Sequence, residues 1–536
     1  MKPTLTFQKE TFTISDLGTE TSTPDLIPSS NVQNKTQFFL DEDYNVPDAK
    51  NDVGRIVLSE GKLRVEELRH MENYLKISGR LIFSILYVTE EGEKRLASLE
   101  GKLPFEEMIY IEEQEEGRYQ LTDMKVEFSA SIVHSRKLSI KAVVDLAAAP
   151  EGLRDEEAAT DVDSEESICK KFRKENLLEL RASKKDTYRL KEEIRLPGTK
   201  ENVGTILWSD ITERKLETKL EEGALILQGE LLVFVFYESA EGKLDWLEQT
   251  VPYEGRIEVS KAESGMYHHV MKNLGDINID LRMDEDGEPR ILGIEGTIDL
   301  KIAVYEEEEV TFLEDVYSLQ QELRPSFRKC CYESMVMQNH SKCKLTEQLS
   351  LPELQNDILQ ICHSKGVLQP ESYRVESDGI RVEGVIHICF LYVKASDEVP
   401  FDVWQGMIPF SHLIESNETV ADMKYDITTG IEQLFVNLLG GNQVEVKAVL
   451  SFQSFLKRTF EMDTIESIEV SDIDKKELEK RPGIVGYTVK TGDTLWALAK
   501  RYNTTVEGIR EVNHLQTEEV KEGEKILIFK ESTSIL

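Results

Sequence analysis

Three segments of similar pattern dominate the chain: ISGRLIFSILY (77–87), LQGELLVFVFY (227–237) and VEGVIHICFLY (382–392). In each segment apolar residues alternate along one face, a glycine holds the third position and a tyrosine closes the run. A period of two, with many branched and aromatic residues, is typical of a β-strand. The far end of each segment is apolar on both faces, which predicts burial on both sides. The shared glycine predicts a bulge or a close approach of another backbone.

These segments belong to a long internal repeat. Four residue types recur in one register over windows of 40 residues: Pro47, Pro197 and Pro352; Ile56, Ile206 and Ile361; Gly79, Gly229 and Gly384; Tyr87, Tyr237 and Tyr392. The windows start 150 residues apart (47 to 197) and then 155 residues apart (197 to 352). The repeated unit is therefore a whole domain and not a short solenoid element.

Further marks of the repeat surround this strand. A proline–aromatic pair follows it, at Pro104–Phe105, Pro252–Tyr253 and Pro409–Phe410. A second alternating strand closes each unit, over 138–146, 291–304 and 444–452. A Phe-x-Lys motif opens each unit, at Phe7, Phe172 and Phe327. Strands at this spacing, with turn signals between them, favour a β-sandwich or barrel-like unit. We therefore predict a mainly β fold with three repeated units, over residues 1–150, 171–320 and 321–467.

Two charged segments are predicted to separate the units. Residues 151–167 carry eight acids and one arginine with no core-forming pattern, so we expect a mobile acidic linker over 151–170. Residues 468–483 carry mixed charge and end in Arg-Pro-Gly, which indicates a second linker before a small domain at 484–530.

The last domain is predicted to have the order βααβ. A strand over 487–490 leads into a turn, and Asp493 or Thr494 caps a helix over 494–502 whose buried residues are Leu495, Leu498 and Ala499. Thr504 or Thr505 is predicted to cap a second helix, which ends at Asn513 and has Val506, Ile509 and Val512 facing inward. A last strand is predicted over 525–529.

Residues 487–529 resemble a LysM domain in the opening YTVKTGDTLW, in Asn513 with Leu515, and in the ending Gly523…Ile526-x-Ile528. The resemblance implies a module that binds N-acetylglucosamine glycans, usually peptidoglycan, in a groove between two loops. Carried over by position, the groove consists of Gly492, Asp493, Thr494 and Leu495 on one side, and Asn513, Leu515 and Gln516 on the other. The same residues also have purely structural roles open to them as turn, cap and helix end. Four glutamates in the second loop (518, 519, 522 and 524) favour a protein partner.

The order of domains resembles the SPOCS-domain family of endospore-forming Firmicutes, of the SipL and SpoVID kind. The segments VGRIV (53–57) and VGTIL (203–207) support this resemblance beside the repeat and the LysM-like tail. It implies a spore-coat morphogenetic protein in the mother-cell cytoplasm, located on the forespore surface. It also implies binding to the basal-layer coat ATPase SpoIVA, with the LysM region in that contact.

The charge of the chain limits its partners. With 64 basic and 101 acidic residues the formal net charge is −37, which disfavours binding to nucleic acid or to an anionic membrane surface. The charge also has the simpler explanation of solubility. Residues 484–530 hold seven bases and seven acids, so the repeats and linkers carry the whole excess and favour basic protein partners. Neither a secretory signal nor an apolar run of the roughly twenty residues that a membrane helix needs is visible.

The sequence offers little for catalysis. Phosphate-loop, HExxH and GxSxG motifs are absent. Cys330, Cys331, His340 and Cys343 have poor spacing for zinc, and His268–His269 are interpreted as surface histidines in a loop. We therefore predict no catalytic residues, cofactor or metal. The alternatives to a coat scaffold are a peptidoglycan-binding adaptor and a wall-active enzyme with an unrecognised site.

Overall fold

The structure is a computed structural model. It describes residues 5–16, 20–21, 34–90, 95–111, 119–150, 152–275, 277–354, 358–395, 400–418, 423–440, 442–473, 480 and 482–531. Strands account for nearly all of the regular structure in these residues, and the two α-helices described among them both lie in the last domain. The prediction of a mainly β fold with a small βααβ domain is therefore confirmed.

The strands follow one another along the chain with short connections. Those of the first repeat are β1 (Thr6–Asp16), β2 (Glu20–Thr21), β3 (Asn34–Asn45), β4 (Val53–His70), β5 (Tyr74–Thr89), β6 (Leu96–Tyr110), β7 (Tyr119–His134), β8 (Lys137–Pro150) and β9 (Gly152–Asp163). Those of the second are β10 (Ile168–Arg195), β11 (Val203–Glu221), β12 (Ala224–Ser239), β13 (Leu244–Glu258), β14 (Tyr267–Leu274), β15 (Asn278–Met283) and β16 (Pro289–Ser318).

The third repeat and the last domain complete the series. The third repeat contains β17 (Gln321–Ser350), a 3₁₀ turn (Pro352–Leu354), β18 (Ile358–Glu376), β19 (Gly379–Lys394), β20 (Phe401–Glu415), β21 (Met423–Gly440) and β22 (Gln443–Asp472). The last domain contains β23 (Ile484–Thr488), α1 (Leu495–Tyr502), α2 (Val506–Asn513) and β24 (Lys525–Phe529).

Each repeat is a sandwich of two antiparallel sheets. One sheet has the orders β4-β5-β6, β11-β12-β13 and β18-β19-β20 in the three repeats, and the other has β3-β8-β7, β10-β16-β14 and β17-β22-β21. Strand β15 also pairs with β16, and β2 from the first repeat extends the third repeat at β21. The side chains between the two sheets form one apolar core in each repeat.

The shared glycine and the proline–aromatic pair meet inside each sandwich. Gly79, Gly229 and Gly384 are the cross-strand partners of Phe105, Tyr253 and Phe410. The neighbouring strand carries a bulge close to each glycine. A Cβ atom on Gly79 would come within 2.1 Å of the Arg64 carbonyl oxygen. The predicted close approach of the backbone is therefore observed.

The outer strands of each repeat extend beyond the sandwich as a two-stranded ribbon. Strand β10 pairs with β16 from Ile168–Ser318 to Arg195–Ile291, and β17 pairs with β22 over a similar length. In the first repeat this long ladder is split into β3–β8 and β1–β9. The three ribbons pack on one another through small apolar clusters, and we call this assembly the stalk.

The stalk corrects the prediction of a mobile acidic linker. Residues 152–163 form strand β9, and Ala158, Ala159 and Val162 on it are buried against the other ribbons. Acidic side chains on the same strand bond to β1, as in the 2.8 Å contact between Thr13 Oγ1 and Asp155. The sequence pattern did not predict this strand, because its few apolar residues stand among many acidic ones. In the second linker, residues 468–472 continue β22, while 474–479 and 481 lie outside the described residues.

The three sandwiches meet in a second apolar cluster, which we call the junction. Every repeat contributes to it: Leu58, Leu86, Val88 and Leu96; Leu207, Trp208, Phe234 and Phe236; Cys362, Leu391 and Phe401. Leu86, Phe236 and Leu391 hold the same position in the repeat, 150 and 155 residues apart. This explains the double-sided apolar ends of β5, β12 and β19, because one face enters the sandwich core and the other enters the junction.

Candidate functional site

The βααβ domain is built around a compact apolar core. Leu495, Leu498 and Ala499 of α1 are buried, as predicted, together with Val506 and Ile509 of α2. Val512 is 39% exposed, so its predicted inward position is wrong. It lies in the last turn of α2, one residue before the helix ends. Thr494 and Thr505 cap the two helices, and each side-chain oxygen accepts a backbone hydrogen bond three residues on.

The first groove loop is shaped by its backbone. Gly492 has a φ of +84°, a conformation that glycine adopts without strain, and it lies exposed at the turn. Asp493 Oδ2 accepts hydrogen bonds from the backbone N–H of Lys490 (2.8 Å) and from the Tyr487 hydroxyl (2.9 Å). These bonds hold the pKa of the Asp493 carboxyl below its usual value and raise the pKa of Tyr487. Asp493 is therefore occupied as a support of the loop.

The second groove loop is fixed by Asn513. Its Nδ2 donates to the carbonyl oxygens of Ile509 (2.8 Å) and Leu527 (2.7 Å), while its Oδ1 accepts from the Leu527 N–H (2.7 Å). Leu515 is half-buried against the domain core, and Gln516 is exposed. Asn513 thus joins the end of α2 to β24. The exposed members of the predicted groove are Gly492, Thr494 and Gln516.

The domain is docked on the stalk by a different face. Asp315 of β16 accepts hydrogen bonds from Trp496 Nε1 (2.8 Å) and from Lys500 Nζ (2.7 Å and 2.8 Å). Tyr317 donates to the Thr504 carbonyl oxygen (2.9 Å) and packs edge-on against Trp496, with ring centroids 4.8 Å apart. The contact uses α1 and the turn between the helices, so the two groove loops stay uncovered.

Sequence reasoning missed this docking contact. Trp496 belongs to the YTVKTGDTLW opening, and the sequence offers it only as part of that motif or as a core residue of the small domain. Asp315 and Tyr317 lie about 180 residues earlier in a strand whose alternation carries no sign of a partner. The contact joins residues far apart in sequence, so local patterns could not reveal it.

The histidines and cysteines considered for metal binding do not converge. His340 lies 3.4 Å from Glu432, buried Cys330 bonds Thr464 (3.1 Å), and Cys343 packs on the third repeat's core. Within the part of the chain that the structure describes, no three His, Cys, Asp or Glu side chains are grouped to hold a metal ion.

The interpretation of His268 and His269 as surface loop residues is wrong. Both lie in strand β14, where cross-strand packing against β16 covers them. His268 Nε2 is 2.9 Å from the Thr218 hydroxyl, and His269 Nε2 is 3.1 Å from Asp426. Burial lowers the pKa of His268, aided by its neighbour His269. The pair therefore serves packing inside the second repeat and at its contact with the third.

The structure is an array of β domains, packed together at the junction and the stalk, that carries a small module with an open groove between two loops. Comparison with known families agrees with this class. The family model described as SipL, SPOCS domain matches residues 52–135, 202–282 and 357–439, and the LysM domain model matches residues 487–529. No solved structure matches the chain significantly.

The chain therefore combines three SPOCS domains of the SipL type with a C-terminal LysM domain, which is the domain order of a SipL-like protein. These domain matches relate the chain to sporulation and the spore coat, and both kinds of domain are non-catalytic binding domains. The SPOCS matches cover β4–β7, β11–β15 and β18–β21. They leave out the long outer strands that build the stalk. Among the described helices, neither is long and apolar enough to cross a membrane.

Proposed function

We propose that this protein is a non-catalytic morphogenetic scaffold of the spore envelope, which binds the basal coat ATPase SpoIVA through its LysM domain. It acts in the mother-cell cytoplasm, on the forespore surface, and helps the coat to encase the forespore. The observation that carries the proposal is the fixed LysM domain, whose two groove loops are open while its opposite face is bonded to the stalk.

The arrangement suits a scaffold for a physical reason. Because the junction and the stalk unite three SPOCS domains, contacts made by separate repeats act together on one packed assembly. The chain has a net charge of −37 and its LysM domain has no net charge, so the repeats offer acidic surfaces to basic protein partners. The groove loops supply a separate contact on this domain.

The second candidate function is binding of peptidoglycan or another N-acetylglucosamine glycan through the same groove. The matched LysM family favours it, and exposed Gly492, Thr494 and Gln516 leave room for a sugar. Against it stand the four glutamates of the second groove loop. They suit a protein surface better than a wall polymer.

A binding experiment with the full chain separates the two functions. Wild type, Gln516→Arg in the groove and Lys525→Gln on the outer face of β24 are each incubated with immobilised SpoIVA and with purified peptidoglycan. We expect wild type and Lys525→Gln to be retained by SpoIVA, and Gln516→Arg to be retained more weakly. Retention on peptidoglycan alone, again weakened by Gln516→Arg, would support the glycan function instead.

A further inference from the structure

The junction contains a polar centre made from one position of the repeat. Glu60, Asp210 and Lys365 are equivalent residues, 150 and 155 positions apart. Lys365 Nζ lies 2.9 Å from Glu60 and 2.8 Å from Asp210, so one cation of the third repeat bonds acids of the other two. The Asp210 side chain is only 3% exposed. The three repeats therefore differ in charge at the point where they meet.

His363 joins the same centre from two residues away. Its Nε2 lies 3.2 Å from Asp210 Oδ2 and its Nδ1 lies 2.7 Å from Glu248 Oε2. The ring stacks on Phe234, with centroids 4.1 Å apart and an angle of 8° between the planes. The side chain is 9% exposed. Both ring nitrogens of this third-repeat residue thus face carboxylates of the second repeat.

The geometry distinguishes the two protonation states of the imidazole. A protonated ring has two N–H groups and can donate to Asp210 and Glu248 together. A neutral ring has one N–H group, so its second nitrogen would turn a lone pair toward a carboxylate oxygen. The arrangement therefore fits the charged ring alone, on an imidazole side chain that is only 9% exposed.

We propose that His363 is a pH-sensitive joint between the second and third repeats. When it is protonated it holds Asp210 of β11 and Glu248 of β13, and its deprotonation releases one of them and loosens the junction. This device does not depend on which partner the LysM domain binds. It concerns how firmly the SPOCS domains are held together as one body.

The surrounding charges set the direction of the effect. Burial lowers the pKa of His363, but hydrogen bonds and charge from Asp210 and Glu248 raise it more, so the folded-state pKa lies above its ordinary value. Lys365 on β18 shares Asp210, and Arg214 of β11 lies near both carboxylates. A raised pKa means that the stabilisation is complete below the unfolded-state pKa and is lost as pH rises through the folded-state pKa.

The test is calorimetric unfolding of the full chain between about pH 5.5 and about pH 9, a range that brackets histidine titration. Wild type is compared with His363→Gln and with the matched control His134→Gln, which changes an exposed histidine of the first repeat. We expect the advantage of wild type over His363→Gln to shrink as pH rises. Expressed as the ratio of the unfolding equilibrium constants of His363→Gln and wild type, this advantage falls about tenfold for each pH unit between the unfolded-state and folded-state pKa values.

His134→Gln is expected to run parallel to wild type over the whole range. A difference between wild type and His363→Gln that is constant with pH would overturn the proposal. If His363→Gln does not fold, Glu248→Gln takes its place, because that side chain is 39% exposed and its loss leaves the apolar junction intact. The loss of stability should then begin at lower pH than in wild type, and an unshifted profile would contradict the joint.

Discussion

Asn513 shows how a residue assigned to a binding groove is also a structural tie. All three of its side-chain hydrogen bonds go to backbone groups of α2 and β24. Replacing it with alanine leaves the Leu527 backbone without its partner on that side. We expect Asn513→Ala to destabilise the LysM domain by about 2 kcal/mol.

Native-state hydrogen exchange of α2 and β24 in the full chain measures this loss. Gln516→Ala, three residues further on, is the control. Its side chain is exposed, so a change within about 0.5 kcal/mol is expected. Equal protection in wild type and Asn513→Ala would show that the tie does not contribute to stability.

Glu333 is the centre of a buried charge cluster where the third ribbon leaves its sandwich. Its carboxylate lies 2.7 Å from Lys457 Nζ and 3.4 Å from Lys424 Nζ. Between 1% and 4% of each of the three side-chain surfaces is exposed. Glu333→Gln removes the negative charge that both cations face, and we expect a loss of about 3 kcal/mol.

Thermal unfolding of the full chain gives the readout for Glu333→Gln. The control is Glu461→Gln on the same ribbon, whose pair with Lys329 is exposed and 3.6 Å long. Exposed pairs contribute about 0–1 kcal/mol, so the control should unfold close to wild type. Similar shifts for the two variants would mean that burial of the cluster adds nothing.

At the scale of a strand, the glycine of each repeat is fixed by its neighbours. A Cβ atom at position 79 would meet the Arg64 carbonyl oxygen at 2.1 Å and the Phe105 ring at 2.9 Å. A backbone oxygen cannot change rotamer as a side chain can, so Gly79→Ala must displace the bulged strand β4. We expect a loss of about 1–3 kcal/mol in the first repeat.

The matched control for Gly79→Ala is Gly198→Ala, where a Cβ atom has no neighbour within 4 Å. Hydrogen exchange of β5, compared with β12, reports the first and second repeats separately. Faster exchange in β5 is expected for Gly79→Ala only. Unchanged exchange there would contradict the close approach seen in the structure.

The central strand of each repeat could be predicted from sequence because its pattern records two local facts. The alternation of apolar residues predicts the face that packs inside the sandwich. The end of 227–237 is apolar on both faces, which predicts a second buried surface. The identity of that surface could not be inferred, because Phe236 meets residues such as Phe401 only after the repeats assemble. Strand β9 was missed for the opposite reason, since its few apolar residues are separated by many acids.

In the LysM domain, motif and structure agree on the elements and on Thr494 as a cap. The groove assignment stays a prediction, and the hydrogen bonds of Asp493 and Asn513 show which members already have structural partners. Binding specificity depends on exposed side chains and on the partner's shape. A short motif, shared for folding reasons, contains little of that information.

For the whole molecule, Asp315 is one of the stalk residues that hold the LysM domain in place. It binds Trp496 and Lys500 at once, so Asp315→Ala removes these hydrogen bonds of the docking contact and leaves the one from Tyr317 to Thr504. We expect faster hydrogen exchange in α1 and a larger radius of gyration in solution scattering, while the repeats stay folded. Glu314→Gln, whose partner is Lys171, is the neighbouring control and should match wild type. An unchanged radius and unchanged exchange for Asp315→Ala would show that docking does not depend on this residue.

The most direct test of the proposed scaffold is an equilibrium titration of the full chain against SpoIVA and, side by side, against a soluble N-acetylglucosamine oligomer. Because the groove is open and its second loop carries four glutamates, we predict tighter binding to SpoIVA than to the oligomer. Gln516→Arg should weaken that binding. Saturable binding to the oligomer together with no binding to SpoIVA would contradict the proposal and leave the glycan-binding function in its place.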